Sequence, residues 1–291
     1  MEYHSERFED MSLLIFNEEK LVALLPANKT ETILHSHQGL TYGGLILTEK
    51  LKLNETIEIF KAILLFLETQ RFETLNIKLL PSIYSNLPSK EIDYILFLLN
   101  AEVTRRDVLS VIDYRAFPQS ISTIRKRGVK KAKEHQLIIK ENNDFEAFWN
   151  QVLIPNLEKR YKKQPVHTLL EIQRLHKHFP EKIRQFNVYK DDKIVGGTTI
   201  FETKTVAHAQ YISATENKQE LGSLDFLFNE LTREIFKHKA FFDFGISNEN
   251  NGKKLNEGLL YWKESFGART VTQDFYRLTV KNHKLLNTVM L

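Results

Sequence analysis

Residues 242–268 contain an acidic and a basic side chain, Asp243 and Lys263, whose types could transfer protons and stabilise charge. Asp243 lies in an apolar, strand-like run between Phe242 and Phe244, and Lys263 follows on a later segment. A buried carboxylate can have a raised pKa suited to holding or deprotonating an amine, and a lysine ammonium can stabilise the oxyanion of a tetrahedral intermediate. The alternatives are an Asp243 that faces solvent or caps the next loop, and a Lys263 that faces solvent on an amphipathic helix.

The same segment predicts the elements that would position these groups: a strand, a long polar loop and a helix over 258–266. Gly267 suits the position just after the end of that helix. Loops at the ends of strands on an α/β scaffold are where sites are usually built. Ser247 and Asn256 lie in this loop.

Two parts of the chain share one order of elements, which is hairpin, strand, helix, strand, helix and strand. The hairpins fall at 13–25 and 186–195, apolar residues at helical spacing at 57–67 and 224–235, and alternating closing strands at 103–112 and 270–280. This order predicts an α/β chain (α+β, with a mixed sheet) of two tandem units, although so common an arrangement can also recur by chance. We place the units at 1–112 and 113–291 and expect the second to carry the site.

A basic helix is predicted at 120–135, with Ser120 or Ser122 as its N-cap. One face of this helix is cationic and consists of Arg125, Arg127, Lys130, Lys131 and Lys133. Such a face can attract a phosphorylated donor or acceptor. The alternative is an ordinary solvated helix face, because the whole chain carries a formal charge of only +4.

The motifs of the second half resemble those of the FemAB-like aminoacyl/acyltransferases, which belong to the Gcn5-related N-acetyltransferase (GNAT) fold group. The matching residues run in the family's order: Phe244-Gly245-Ile246-Ser247, Asn256-Glu257-Gly258-Leu259, Trp262-Lys263 and Phe266-Gly267. Further likeness lies in Tyr42-Gly43-Gly44, Ile194-Val195-Gly196-Gly197, the strand at 208–214 and the basic helix at 124–133. One departure is Leu260, where the family has a tyrosine; the aromatic residue here is Tyr261.

The resemblance implies two tandem GNAT-like units and transfer of an acyl or aminoacyl group to an amine, by direct attack in a ternary complex. The implied catalytic residues are Lys263, Asp243, Tyr211 and Tyr261, although tyrosines more often serve packing. The implied donor-binding residues are Lys218, Gln219, Gly222 and Ser223, where GNAT proteins wrap a pyrophosphate at a helix N-terminus. The acceptor is expected in a cleft between the units, at His37, Tyr42, Gly43, Gly44, Ser247 and Asn256.

The resemblance also implies acyl-CoA or aminoacyl-tRNA as co-substrate, with no tightly bound cofactor. The acceptor would carry an amine, and a phosphorylated cell-wall precursor is one such partner. The single glycine and the acidic Glu220 of the donor loop disfavour coenzyme A. Because the chain has no cysteine and no activated serine is evident, no covalent enzyme intermediate is expected.

Composition excludes several other classes of protein. A chain without cysteine has no disulfides and no thiolate metal sites. The pairs His35/His37 and His176/His178 lack the carboxylates that would complete a metal site. The polar N-terminus and short apolar runs predict no signal peptide and no membrane span, and hence a cytoplasmic protein. Two rival interpretations are a non-catalytic small-ligand-binding protein with a degenerate GNAT pair, and a nucleic-acid binder that uses the basic helix.

Overall fold

The structure of the chain, a computed structural model, describes residues 6–116 and 120–289. Mutual contacts divide the chain into two units. Unit 1 consists of Met1–Asp107, Asn250–Lys254 and Thr272–Leu291, and unit 2 of Val108–Glu249 and Leu255–Val271. Unit 1 therefore contains sequence from both ends of the chain.

The first part of the chain, up to the change of unit inside β8, consists of short strands around one long helix. The elements are β1 (Glu9–Asp10), β2 (Leu13–Asn17), β3 (Lys20–Leu25), β4 (Asn28–Thr30), β5 (Ile33–His35), β6 (Ile46–Leu47), α1 (Leu53–Thr69), β7 (Thr74–Lys78), α2 (Glu91–Leu98) and β8 (Glu102–Asp113). A single 3-10 turn, Ser82–Tyr84, lies before α2. Apolar residues recur along α1 at helical spacing and are buried, which explains why the helix forms and which face it turns to the core.

The remaining elements begin with the basic helix and end with a strand that returns to unit 1. They are α3 (Thr123–Glu134), β9 (Ile138–Glu141), α4 (Phe145–Phe148), α5 (Ile154–Tyr161), α6 (Leu169–His178), β10 (Ile183–Lys190), β11 (Lys193–Glu202), β12 (Val206–Ala214), α7 (Lys218–Leu221), α8 (Ser223–Glu230), β13 (Phe241–Ile246), β14 (Asn248–Glu249), β15 (Lys254–Leu255), α9 (Glu257–Glu264) and β16 (Arg269–Thr279). Two π-helical turns, Trp149–Leu153 and Leu231–Ile235, follow α4 and α8, and a 3-10 segment, Val280–Thr288, follows β16.

The strands of each unit form a mixed sheet. The order is β1-β4-β5-β7-β16 in unit 1 and β8-β13-β12-β11-β10-β9 in unit 2, and β2, β3 and β6 form a separate three-stranded sheet. The pairs β5–β7 and β12–β13 are parallel, whereas their sheet neighbours pair antiparallel. The predicted α/β class with a mixed sheet is therefore confirmed. The predicted order also occurs twice, as β2–β3, β5, α1, β7, α2, β8 and as β10–β11, β12, α8, β13, α9, β16.

The closing strand of each copy pairs with a strand of the other copy. Residues 109–113 of β8 pair with β13 inside unit 2, and residues 275–279 of β16 pair with β7 inside unit 1. The sequence-based boundary at residue 112 assigns 272–291 to the second unit, whereas the contacts assign them to unit 1. The difference arises because strand hydrogen bonds, which join distant parts of the chain, determine where a closing strand packs.

A β-bulge in β12 determines which face of the unit 2 sheet its side chains occupy. Thr199 pairs with Tyr211 and Ile200 with Ala209, so that Gln210 is the extra residue. Ala209 packs into the aromatic core beneath α8, whereas Tyr211 packs into a second core around Trp149. Because side chains alternate along a strand, His208 lies on the same face as Tyr211.

Over the part of the chain that the structure describes, every helix is too short or too polar to cross a lipid bilayer.

Candidate active site

Three polar side chains of unit 2 converge on Gly245, next to the end of β13. The Gly245 N–H donates to Asp243 Oδ1 at 2.7 Å, and its carbonyl accepts from Lys263 Nζ at 3.0 Å. A Cβ placed on Gly245 would lie 3.5 Å from Cε1 of His208, so the imidazole lies directly across from this residue. With φ at +73°, Gly245 adopts a backbone conformation that other residues rarely take.

The site lies where two parallel strands separate. Strands β12 and β13 pair over 206–208 and 241–243, which places His208 opposite Asp243 in the last pair. Beyond it, β12 continues along β11 to Ala214, while β13 turns at Gly245 and shifts its register against β8. The carboxyl ends of parallel strands are a common location for ligand sites in open α/β sheets.

Asp243 and His208 form a buried hydrogen-bonded pair. His208 Nδ1 lies 2.9 Å from Asp243 Oδ2. Since the other carboxylate oxygen accepts from Gly245 N–H, both oxygens of Asp243 have hydrogen-bond partners. The side chain of Asp243 is 0% exposed and that of His208 is 9% exposed. Asp243 therefore points into unit 2 rather than into solvent.

Lys263 reaches the same place from helix α9. Its Nζ donates to the carbonyls of Gly245 and Ile246, at 3.0 and 2.6 Å. Burial lowers the pKa of Lys263 to about 7, against a smaller opposing effect of the nearby Asp243 charge. The lysine is thus buried rather than solvent-facing, and its ammonium readily changes protonation state near neutral pH.

The predicted loop residues Asn256 and Ser247 hold α9 against the end of β13. The Asn256 side chain accepts from Leu259 N–H at 3.1 Å and so caps the helix. Its own N–H donates to the Ser247 carbonyl at 2.9 Å, and the Ser247 hydroxyl lies 3.1 Å from that of Ser110. In this structure both residues position Lys263, because they fix the start of its helix.

The two predicted catalytic tyrosines lie in other surroundings. Tyr211 packs edge-to-face against Trp149, with ring centroids 5.1 Å apart, and its hydroxyl accepts from His167 N–H at 3.0 Å. Tyr261 is 55% exposed. The described contacts therefore place Tyr211 in the core around Trp149 and the side chain of Tyr261 in solvent.

Helix α3 packs against the Gly222 end of the predicted donor loop, 218–223. Gly222 has φ at +69°, and a Cβ on it would lie 2.1 Å from the Gly128 carbonyl oxygen. Lys218 is half-buried, and its burial together with the charge of Arg160 lowers its pKa. Ser223 is buried, and within the described residues its hydroxyl has no hydrogen-bond partner. Gln219 is exposed, and its backbone carbonyl accepts from Lys131 Nζ at 3.5 Å. Helix α3 thus contacts this turn through the backbone of Gly128.

The predicted basic face divides into one mostly buried cation, Arg125, and four exposed ones. Ser122, one of the two predicted caps, accepts from the backbone N–H of Arg125 and so caps α3. The guanidinium of Arg125 donates to Asp225 at 2.6 Å. Trp262 Nε1 also donates to Asp225, and burial raises the pKa of this carboxyl despite the guanidinium beside it. The exposed members, here called the α3 cationic face, are Arg127, Lys130, Lys131 and Lys133.

The remaining predicted acceptor residues belong to unit 1 and form a tight loop. His37 is buried, and its Nδ1 accepts from Gly39 N–H at 3.2 Å. The Tyr42 hydroxyl accepts from Tyr84 at 3.1 Å. A Cβ on Gly43 would lie 2.3 Å from the Ser36 carbonyl oxygen, and Gly44 has φ at +93°. These glycines allow the loop to approach its neighbours closely.

Two residues of the site, His208 and Gly245, have no role that the sequence pattern alone indicates. Both lie inside motifs that match the family, but their proximity depends on the register of β12 against β13 and on a positive φ. Neither the register nor the positive φ can be predicted from the residues next to His208 and Gly245 in the sequence. Among the described residues, no group of three or more His, Cys, Asp or Glu is placed to hold a metal ion.

The chain is similar in structure to several solved proteins. FemX is 8% identical, with a TM-score of 0.64 over 94% of this chain and 89% of FemX. The C-terminal domain of a protein from Agrobacterium fabrum, described as a lysylphosphatidylglycerol synthetase, is 11% identical, with a TM-score of 0.62 over 94% of this chain and 87% of the domain. A tandem GNAT protein from the clavulanic acid biosynthesis pathway is 11% identical, with a TM-score of 0.51 over 92% and 82%.

These likenesses establish the fold. They confirm the predicted tandem GNAT-like architecture and its resemblance to FemAB-like proteins. No family model and no curated protein matches the sequence. At 8–12% identity, these likenesses show the fold alone.

Proposed function

We propose that this chain is a transferase that moves an acyl or aminoacyl group onto an amine. The reaction would take place at the Gly245 site, which consists of Gly245 and the side chains of Asp243, His208 and Lys263. The observation that carries the proposal is the convergence of a buried lysine and a buried carboxylate–imidazole pair on one glycine, where two parallel strands separate. A cation and a proton-accepting pair are the two features that amine attack on an acyl carbon requires.

The reaction would be a direct displacement. The amine nitrogen forms a bond to the acyl carbon, the carbonyl oxygen becomes an oxyanion, and collapse breaks the bond to the oxygen or sulfur of the donor. The Lys263 ammonium, held in place by the Gly245 and Ile246 carbonyls, would stabilise the oxyanion. A donor aimed at an oxyanion contributes roughly 10²–10³-fold to a rate. The absence of cysteine is consistent with a mechanism that has no acyl-enzyme.

The donor loop favours an aminoacyl donor over acyl-CoA. A pyrophosphate wrapped by GNAT-type backbone needs access to the turn at Gly222, and helix α3 packs against that turn through Gly128. The α3 cationic face offers an alternative site for phosphate groups, because its four side chains are exposed. One similar structure is named for lysylphosphatidylglycerol synthesis, which supports an aminoacyl group as the moiety transferred.

A product screen tests the proposal. The purified chain is incubated with pools of aminoacyl-tRNA or with acyl-CoAs, and with amines that include cell-wall precursor peptides bearing a free amino group. Mass spectrometry then measures new amides. We expect an amide from at least one aminoacyl donor and none from the acyl-CoAs. Absence of amide from every pair would contradict the proposed function, and an amide from acyl-CoA alone would contradict the choice of donor.

A second candidate is a non-catalytic small-ligand-binding protein that keeps the GNAT fold. The close packing of α3 on the Gly222 turn favours this candidate, because a protein that has lost its activity would no longer need an open donor site. Thermal-shift measurements with the same donors and acceptors separate the two candidates. Stabilisation by an acyl donor supports the enzyme, and stabilisation by acceptor-like amines alone supports the binding protein.

A further inference from the structure

We infer that His208 is a catalytic residue, which takes the proton from the attacking amine, and that Asp243 acts through it as a positioning residue. The inference rests on the proposed transfer at the Gly245 site. The sequence alone indicates Asp243 as the general base, whereas this inference gives that role to His208.

Burial separates the roles of the two partners. Asp243 is 0% exposed, with one oxygen bound to Gly245 N–H and the other to His208 Nδ1. Direct attack on an amine proton by Asp243 would therefore require it to give up an existing hydrogen bond inside the core. His208 keeps 9% exposure and lies between this carboxylate and the Gly245 backbone. The imidazole is consequently the more exposed member of the pair.

The chemistry follows from the atoms that face each other. A carboxylate at Nδ1 favours the tautomer with its proton on Nδ1, so that Nε2 carries the lone pair. As the amine nitrogen bonds to the acyl carbon, its proton passes to Nε2 and Asp243 stabilises the imidazolium. When the bond to the leaving oxygen or sulfur breaks, the imidazolium returns that proton to the leaving atom. Lys263 stabilises the oxyanion and ends the cycle unchanged.

Unit 1 contains the same strand pair without the carboxylate. Strands β5 and β7 are parallel, and their third register pair is His35 opposite Asn76, as His208 is opposite Asp243 in the third pair of β12 and β13. In unit 1 an amide nitrogen of Asn76 lies 3.5 Å from His35 Nδ1, against 2.9 Å in unit 2. The strand arrangement therefore forms with an amide in this position. A carboxylate is not needed for the fold, and it is the group that stabilises an imidazolium.

The first arm of the test requires no substrate. Long-range proton–nitrogen NMR of the full chain with ¹⁵N-labelled histidine reports which ring nitrogen of His208 carries the proton. We expect the Nδ1–H tautomer in wild type, and loss of this preference in Asp243→Asn. His283, whose Nε2 lies 2.7 Å from Glu68, provides an internal reference that Asp243→Asn leaves unchanged. A neutral wild-type His208 with its proton on Nε2 would overturn the inference.

The second arm uses the donor and acceptor found in the product screen. We expect His208→Gln to lower kcat by roughly 10²–10⁴-fold with little change in KM, since removal of a general base has effects of that size. Added imidazole should partly restore the activity of His208→Ala, a response that a purely structural histidine would not give. The matched control is His283→Gln, a buried histidine of unit 1 bound to a carboxylate, which should keep wild-type rates.

The outcomes separate the two proposals. Wild-type turnover together with a fully active His208→Gln overturns the role of His208 and leaves the transferase function standing. A wild type without turnover contradicts the transferase function, and the NMR arm then decides the arrangement of the His208–Asp243 pair on its own.

Discussion

At the scale of single residues, the site depends on a lysine ammonium that the fold holds out of water. Lys263 donates to two backbone carbonyls, and its pKa is lowered to about 7 because burial disfavours the charged form. Residue type and motif spacing are enough to indicate Lys263 and Asp243 from sequence. His208 could not be assigned in this way, because its partner comes from a different strand and the pairing register is a long-range property.

The lowered pKa of Lys263 predicts how stability changes with pH. The folded pKa, about 7, lies below the unfolded value of 10.5, so the unfolded chain binds more protons between these pH values and stability rises with pH there. Lys263→Met removes this dependence. We expect the unfolding free energy of wild type to rise by roughly 3 kcal/mol relative to Lys263→Met between about pH 6 and about pH 9.

Urea unfolding at the two pH values measures this difference. Lost hydrogen bonds shift the Lys263→Met curve equally at both pH values, so the test depends on the slope alone. Lys237→Met is the control, because Lys237 is exposed and pairs only with exposed Glu234 among its described contacts. Parallel pH curves for wild type and Lys263→Met would show that Lys263 titrates normally in the folded chain.

At the scale of elements, two glycines allow helix α3 to pack onto the turn before α8. A Cβ on Gly128 would lie 2.0 Å from Asp225 Oδ2, and Asp225 is held by Arg125 and Trp262. Alanine is favoured over glycine in a helix by about 1 kcal/mol. We nevertheless expect Gly128→Ala to lower the unfolding free energy by about 1–3 kcal/mol, because the new methyl group must displace a side chain with fixed partners.

Gly258→Ala provides the matched comparison for Gly128→Ala. Gly258 also lies in a helix, α9, but a Cβ there would meet nothing within 4 Å. We expect this change to leave stability unchanged or to raise it by up to about 1 kcal/mol. Equal effects of the two substitutions in chemical unfolding would show that α3 does not pack closely on the turn, which would leave the turn accessible to the pyrophosphate of acyl-CoA.

The elements themselves could largely be predicted, and their irregularities could not. Apolar periodicity marks α1 and α8, and alternation marks β8 and β16, because burial of one face produces those patterns. The bulge at Gln210 has no such signal: it lies in a continuous strand and contains neither glycine nor proline. That bulge nevertheless puts His208 and Tyr211 on one face of the sheet.

At the scale of the whole molecule, the repeated order of elements was sufficient to predict two tandem units and a mixed sheet. The exchange of closing strands was not predictable, since β8 and β16 are each uninterrupted in sequence while their hydrogen bonds join residues far apart in the chain. The repeated order of elements also gives unit 2 an internal comparison. In unit 1 the strand pair forms with His35 opposite Asn76, an amide, whereas in unit 2 His208 lies opposite Asp243, a carboxylate. The facing strands therefore belong to the fold, and the carboxylate is particular to unit 2.

The most direct test of acyl transfer at the Gly245 site is the kcat/KM for amide formation by wild type and Lys263→Met, measured with the donor and acceptor from the product screen. Loss of the ammonium should lower kcat/KM by roughly 10²-fold or more, as expected when an oxyanion-stabilising donor is removed, while Lys237→Met keeps the wild-type value. An equal kcat/KM for wild type and Lys263→Met would contradict the claim that the Gly245 site carries out the transfer.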